Sequence, residues 1–127
     1  MELGDGRCAV TGCSVDAVLE ACHLKPWKIS TDPERLDPEN GLCLVANIHR
    51  LYDRGLITFD DEGLMRVSKC LSQEDRMSLK LEGRMRIKSP LTAKQKAFLK
   101  LHRGTRFLQD IPAAISAETE PGVDSVA

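Results

Sequence analysis

Apolar residues in the first half of the chain come in short runs divided by turn chemistry, a pattern of brief strands rather than long helices. Residues 17–22 have strand length, with His23 at their end, and residues 42–45 form a second such run. Between them Pro26, Pro33, Pro38 and Gly41 stand among Ser, Thr and Asp, which predicts a loop over residues 25–41 with no long regular element. Asn47 reads as the N-cap of a short helix over residues 48–54, stopped by Gly55. Residues 56–59 and 64–67 flank Asp60-Asp61-Glu62-Gly63 and predict a β-hairpin around an acidic turn. Ser72 opens a further short helix. Thr92 caps a better one, in which Phe98, Leu99, Leu101 and His102 recur at helical spacing. At the front, residues 9–13 are a short apolar piece closed by a glycine turn, and no internal repeat is present. The mixture predicts an α+β fold over residues 1–107, followed by a flexible acidic tail over residues 108–127 without an apolar period.

Composition narrows the class. A chain of 127 residues is one ordinary domain, and 42% hydrophobic with 29% charged residues excludes wholesale disorder. Aromatics at 4% predict a largely aliphatic core and argue against a base-stacking platform. No apolar run approaches the roughly 18 residues of a membrane span, and the first five residues do not read as a signal peptide. A cytoplasmic protein with no membrane partner is expected. Five cysteines, an odd number, then read as reduced thiols and small buried hydrophobes. The competing reading is a structural zinc on Cys8 and Cys13 with Cys43 or Cys22 as a distant ligand.

The near-neutral total hides an uneven layout of charge. Residues 1–63 hold six Lys and Arg against twelve Asp and Glu, whereas residues 64–106 hold twelve against three. The basic block suggests a face for a polyanion, with Arg66, Lys69, Arg84, Arg86 and Lys88 as candidate contacts to backbone phosphates.

The candidate chemistry lies in the acidic half. His49 and Asp53 are four apart on the expected helix, so imidazole and carboxylate can meet one ion there. A nitrogen and an oxygen donor with open water positions suit one divalent cation, Mg²⁺ first, with Mn²⁺, Ni²⁺ or Zn²⁺ as alternatives. His23 is then available as a general base for water, and Asn40 can hydrogen-bond across the loop to hold the imidazole in orientation.

These residues resemble a known family. His23, Asn40 and His49 are similar to the H-N-H motif of the ββα-metal, or His-Me finger, HNH endonucleases. Cys8-Ala-Val-Thr-Gly-Cys13 is similar to an opening C-x-V-T-G, and Leu19-Glu-Ala-Cys-His-Leu-Lys-Pro-Trp27 to an L-E-A-A-H-I-x-P-W block. Asn40-Gly-Leu-Cys-Leu44 and His49-Arg-Leu-Tyr-Asp-Arg-Gly-Leu-Ile57 resemble the N-G-L-x-L and H-x-x-F-D-x-G-x-I blocks of restriction-type members. The segment Phe98-Leu-Lys-Leu-His-Arg103, with Phe107, resembles one that closes such domains. The resemblance implies a ββα-metal core carrying an added hairpin and a C-terminal helix. It further implies metal-dependent hydrolysis of DNA in a restriction, anti-phage or phage-related setting, leaving 5′-phosphate and 3′-hydroxyl ends.

Carried over by position, His23 is the base, Asn40 the orienting residue, His49 and Asp53 the metal ligands, and Arg50 and Arg54 phosphate contacts. Cys22 departs from the pattern, standing where many HNH enzymes have a ligand Asp or His and that subfamily usually Ala. So few elements remain for reading bases that specificity is expected from a homodimer or an associated recognition protein. The alternative is a non-catalytic nucleic-acid-binding or partner-docking module on the same scaffold.

Overall fold

A computed structural model describes residues 6–81 and 84–108. The tail expected over residues 108–127 lies, Leu108 apart, outside the described residues.

Strand β1 (Leu19–His23) pairs antiparallel with β2 (Gly41–Val45) in a register that sets Leu19 against Val45 and His23 against Gly41. The two strands are the ones expected from the apolar runs, except that Ala17 and Val18 fall in a 3-10 turn (Asp16–Val18), so that β1 begins only at Leu19. Helix α2 (Ala46–Asp53) follows β2 without a break. There is no loop for Asn47 to cap from, so the extended Val45 takes the N-cap position and Asn47 falls in the first turn, correcting the expected start. The expected stop holds, since Gly55 has φ +76°.

The segment between β1 and β2 is more regular than its prolines suggest. It holds 3-10 turns at Trp27–Ile29 and Pro38–Asn40 and one short helix, α1 (Asp32–Leu36). Thr31 and Glu34 form a capping box on α1, and Pro33 sits in its first turn, where a missing N–H costs nothing.

Strands β3 (Ile57–Phe59) and β4 (Met65–Val67) make the expected hairpin, with Asp60 Oδ1 accepting from the Glu62 and Leu64 amides to close its turn. Helices α3 (Gln73–Ser78) and α4 (Ala93–Thr105) start at Ser72 and Thr92, whose hydroxyls accept from Asp75 N and Gln95 N. Among the described residues no helix is long and apolar enough to cross a membrane.

The core is mainly aliphatic, with Leu24, Leu44, Ile48, Ile57 and Leu99 fully buried, joined by Tyr52, Phe59 and Phe98. The buried Tyr52 of α2 stacks on the His102 ring of α4 at 3.6 Å between centroids. His102 Nε2–H donates to the Tyr52 carbonyl at 2.8 Å and Nδ1 accepts from the Thr58 hydroxyl at 2.8 Å, which ties α4 to α2 and β3. A carbonyl can only accept, so Nε2 carries the proton, and burial, which lowers the ring's pKa, favours the neutral form in which Nδ1 accepts.

A Cβ at Gly55 would run into the carbonyl of Arg106, which packs against this turn, and the left-handed φ adds its own penalty. Gly55→Ala is therefore expected to cost more than about 2 kcal/mol of stability, read as a lowered urea midpoint.

Candidate active site

Three neighbouring stretches build the site: the end of β1, the last turn of α1 and the exposed face of α2. His23 leaves β1 with Nε2 2.9 Å from the Arg35 carbonyl. That oxygen only accepts, so in the neutral ring the proton sits on Nε2 and the lone pair on Nδ1. The Trp27 ring meets His23 edge-on at 4.9 Å between centroids. Trp27 is fixed in turn by Arg35, whose guanidinium lies 4.4 Å over the indole and donates to the Trp27 carbonyl.

Asn40 is wholly buried, and its side-chain hydrogen bonds go to backbone groups. Its Nδ2 donates to the Glu34 carbonyl at 3.0 Å, its Oδ1 accepts from Lys25 N at 2.8 Å, and its own carbonyl accepts from Leu24 N at 2.9 Å. The carbonyl of Glu34 neighbours the one that holds His23, so Asn40 locks both walls of the imidazole's seat. The Tyr52 hydroxyl adds a third tie, donating to the Leu24 carbonyl at 2.6 Å.

On α2, His49 and Asp53 fall on one face, with Nε2 and Oδ2 3.1 Å apart. Opposite them β1 presents Glu20 and Cys22, two residues apart and so on one face of the strand. Glu20 Oε1 accepts from His49 Nδ1 at 2.7 Å. The hydrogen bond to Asp53 holds the imidazole of His49 above its usual pKa; burial opposes the shift and Glu20 adds to it. Burial pushes the Cys22 thiol far up, with the charges of Asp53 and Glu20 acting in the same direction.

Donor atoms of Cys22, His49 and Asp53 lie within 4.8 Å of one another, the sole such group of three or more potential metal ligands among the described residues. Nitrogen, carboxylate oxygen and sulfur this close together are a donor set that a divalent cation can use. Cys8, Cys13 and Cys43 are not gathered in this way. Cys8 and Cys43 are buried among apolar neighbours and Cys13 is half-buried, as the reading of small hydrophobes expects.

A cleft of about 470 Å³ opens beside this group, lined by His23, Trp27, Lys28, Asp53, Arg54 and Arg106 among others. Of the basic residues singled out in the sequence, Arg54 alone is in its wall. Arg50 is exposed on α2 and Arg66 on β4. Arg84 and Arg86 border a separate hollow with Asp60 and Glu62, and Lys88 lines another with Arg7. Lys69 lies beyond β4 and outside the cleft wall. Lys28 and Arg106 were missed because each reaches the cleft only through tertiary packing, as in the Arg106 Nε bond to the Asp53 carbonyl at 2.7 Å. Glu20 was missed too, although its place two residues before Cys22 on a strand was a readable sign.

No curated protein matches the chain. Residues 8–60, which span the Cys8 turn, β1, the clamped loop, β2, α2 and β3, match the HNH endonuclease family. The ββα unit that carries His23, Asn40 and His49 lies wholly inside that segment, and over it the chain is similar to the HNH endonucleases.

Proposed function

We propose that the protein is a metal-dependent endonuclease that hydrolyses DNA phosphodiester bonds in the cleft between His23 and Asp53. The observation that carries this reading is that His23, with Nε2 on the Arg35 carbonyl, lines one cleft with Asp53, whose Oδ2 stands 3.1 Å from His49 Nε2. His23 Nδ1 takes the proton from an attacking water, while the Arg35 carbonyl steadies the charged ring. His49 and Asp53 would hold one divalent cation, which supplies charge neutralisation at the phosphoryl oxygens and the leaving 3′-oxygen. Arg54, Arg106 and Lys28 offer positive charge to the flanking phosphates. Asn40 positions His23 through the backbone and does not itself meet the substrate.

Base-specific contacts have few candidates here. A homodimer or an associated recognition protein would supply target choice, and restriction or anti-phage defence is the setting that fits such an effector. The basic residues Arg66, Arg84, Arg86, Lys69 and Lys88 would then serve more distant phosphates or a partner.

The test is incubation of supercoiled plasmid with the purified protein and each of Mg²⁺, Mn²⁺, Ni²⁺, Co²⁺ and Zn²⁺, followed by DNA ligase. Relaxed circles that the ligase reseals carry 5′-phosphate and 3′-hydroxyl ends and support the reading. Plasmid left intact in every metal by folded protein would overturn it in favour of a binding module.

The Glu20–His49 bond is the outer support of the ion, a carboxylate fixing the tautomer and orientation of a ligand imidazole. Glu20→Gln is expected to weaken cation binding by about 10- to 100-fold, measured by isothermal titration, with little change in the thermal midpoint.

A further inference from the structure

We propose that Cys22 is a third protein ligand of the cation, and that the site is built for a thiophilic divalent ion such as Zn²⁺ rather than for Mg²⁺. The inference rests on the nuclease reading only for the presence of an ion between His49 and Asp53.

Geometry comes first. Sulfur, nitrogen and carboxylate oxygen bound tetrahedrally to one ion stand about 3.5 Å apart, given metal–ligand bonds of roughly 2.0–2.3 Å. The donor atoms of Cys22, His49 and Asp53 already lie within 4.8 Å of one another, so small side-chain rotations bring all three onto a common centre. The two elements that carry them are adjacent, β1 packing directly on α2. Cys22 is fully buried, and Asp53, within 4.8 Å of its sulfur, is the member of the group that lines the cleft.

Chemistry then selects the ion. Mg²⁺ demands near-octahedral oxygen donors and keeps several waters, so a sulfur in its shell is a poor partner. A thiolate, an imidazole and a carboxylate suit Zn²⁺, and three protein ligands leave its fourth position open for water or a phosphoryl oxygen, the pattern of catalytic zinc. Glu20 on the far nitrogen of His49 is the outer-shell carboxylate that such sites carry. On binding, the thiol proton leaves to solvent and the sulfur donates its lone pair to the ion. No oxidant or second reactant is involved.

The experiment is titration of metal-stripped protein with Co²⁺, followed by near-ultraviolet and visible absorption. The expected result is a thiolate-to-cobalt charge-transfer band that saturates at one ion per chain, is bleached by Zn²⁺ and withstands excess Mg²⁺. The band is expected to vanish in Cys22→Ala and in His49→Ala and to persist in Cys13→Ser. Cys22→Ala should also bind Zn²⁺ at least about tenfold more weakly. Cys22→Ser, closer in volume, repeats the measurement should the alanine variant fail to fold.

Visible cobalt bands that depend on His49 but come without the charge-transfer band would overturn the thiolate ligand and leave the nuclease reading standing. A charge-transfer band that survives both Cys22 variants would place the sulfur elsewhere and also overturn it. Absence of any Co²⁺ binding would overturn both.

Discussion

Replacing His23 by alanine is expected to slow plasmid cleavage by about 10²–10⁴-fold, the usual contribution of a positioned general base. Cation binding and thermal stability should stay close to wild type. The structure gives the reasons for that separation. His23 sits at the end of β1, half-exposed at the cleft, and its ring bonds the Arg35 carbonyl, which water can satisfy once the ring is gone. His49 and Asp53 lie on a different element and keep both their mutual contact and the Glu20 bond. Asn40→Ala should behave differently. It leaves Lys25 N and the Glu34 carbonyl without their buried partner, so stability should fall by about 2–3 kcal/mol together with activity. Equal losses of activity with unequal losses of stability would separate the base from the residue that seats it. The readouts are single-turnover cleavage and urea denaturation.

Acid is expected to destabilise the fold through His102 by about 3 kcal/mol between pH 6.5 and 4. Burial lowers its pKa from the ordinary 6.5 to about 4, with the Arg106 and Arg103 charges also lowering it and the bond to the Tyr52 carbonyl opposing. The unfolded chain therefore takes up this proton before the folded one does. The stabilisation is complete above pH 6.5, drains away as pH falls toward 4, and is constant below the folded value. His102→Ala should flatten that part of the profile. It also strips the Thr58 hydroxyl and the Tyr52 carbonyl of buried partners and opens space beside the Tyr52 ring, a combined cost of about 4 kcal/mol. Urea midpoints of wild type and variant from pH 4 to 8 measure both effects. A wild-type profile as flat as that of the variant would contradict the neutral, buried histidine.

What could be read without coordinates follows from how local its cause is. The strands around the loop, the hairpin at Asp60–Gly63 and the caps at Ser72 and Thr92 are written in residues at most four apart, and each is found in place. The α1 capping box, Thr31 to Glu34, is equally local but was masked by the prolines beside it. The start of α2 was misplaced because Asn47 has a cap's chemistry but not a cap's backbone: β2 delivers an extended Val45 straight into the helix.

The candidate site divides along the same line. His49 and Asp53 share a helix face by spacing alone. Glu20 reaches His49 across 29 residues of sequence, and His102 reaches Tyr52 across 50, so their roles depend on strand register and helix packing. Charge summed along the chain marked a basic block, yet says nothing of which side of the fold it occupies. The cleft wall draws its positive charge instead from Lys28, Arg54 and Arg106, each from a different part of the chain.

The central claim is that His23 activates water beside an ion held by His49 and Asp53. Its most direct test is plasmid cleavage by wild type and by His23→Ala, each in EDTA and each with its bound metal measured. Metal-loaded wild type is expected to cleave, neither protein to cleave in EDTA, and His23→Ala carrying the same amount of metal to cleave at least about 100-fold more slowly. Cleavage by His23→Ala at a rate close to wild type, or cleavage that proceeds unchanged in EDTA, would contradict the role of His23 or of the ion.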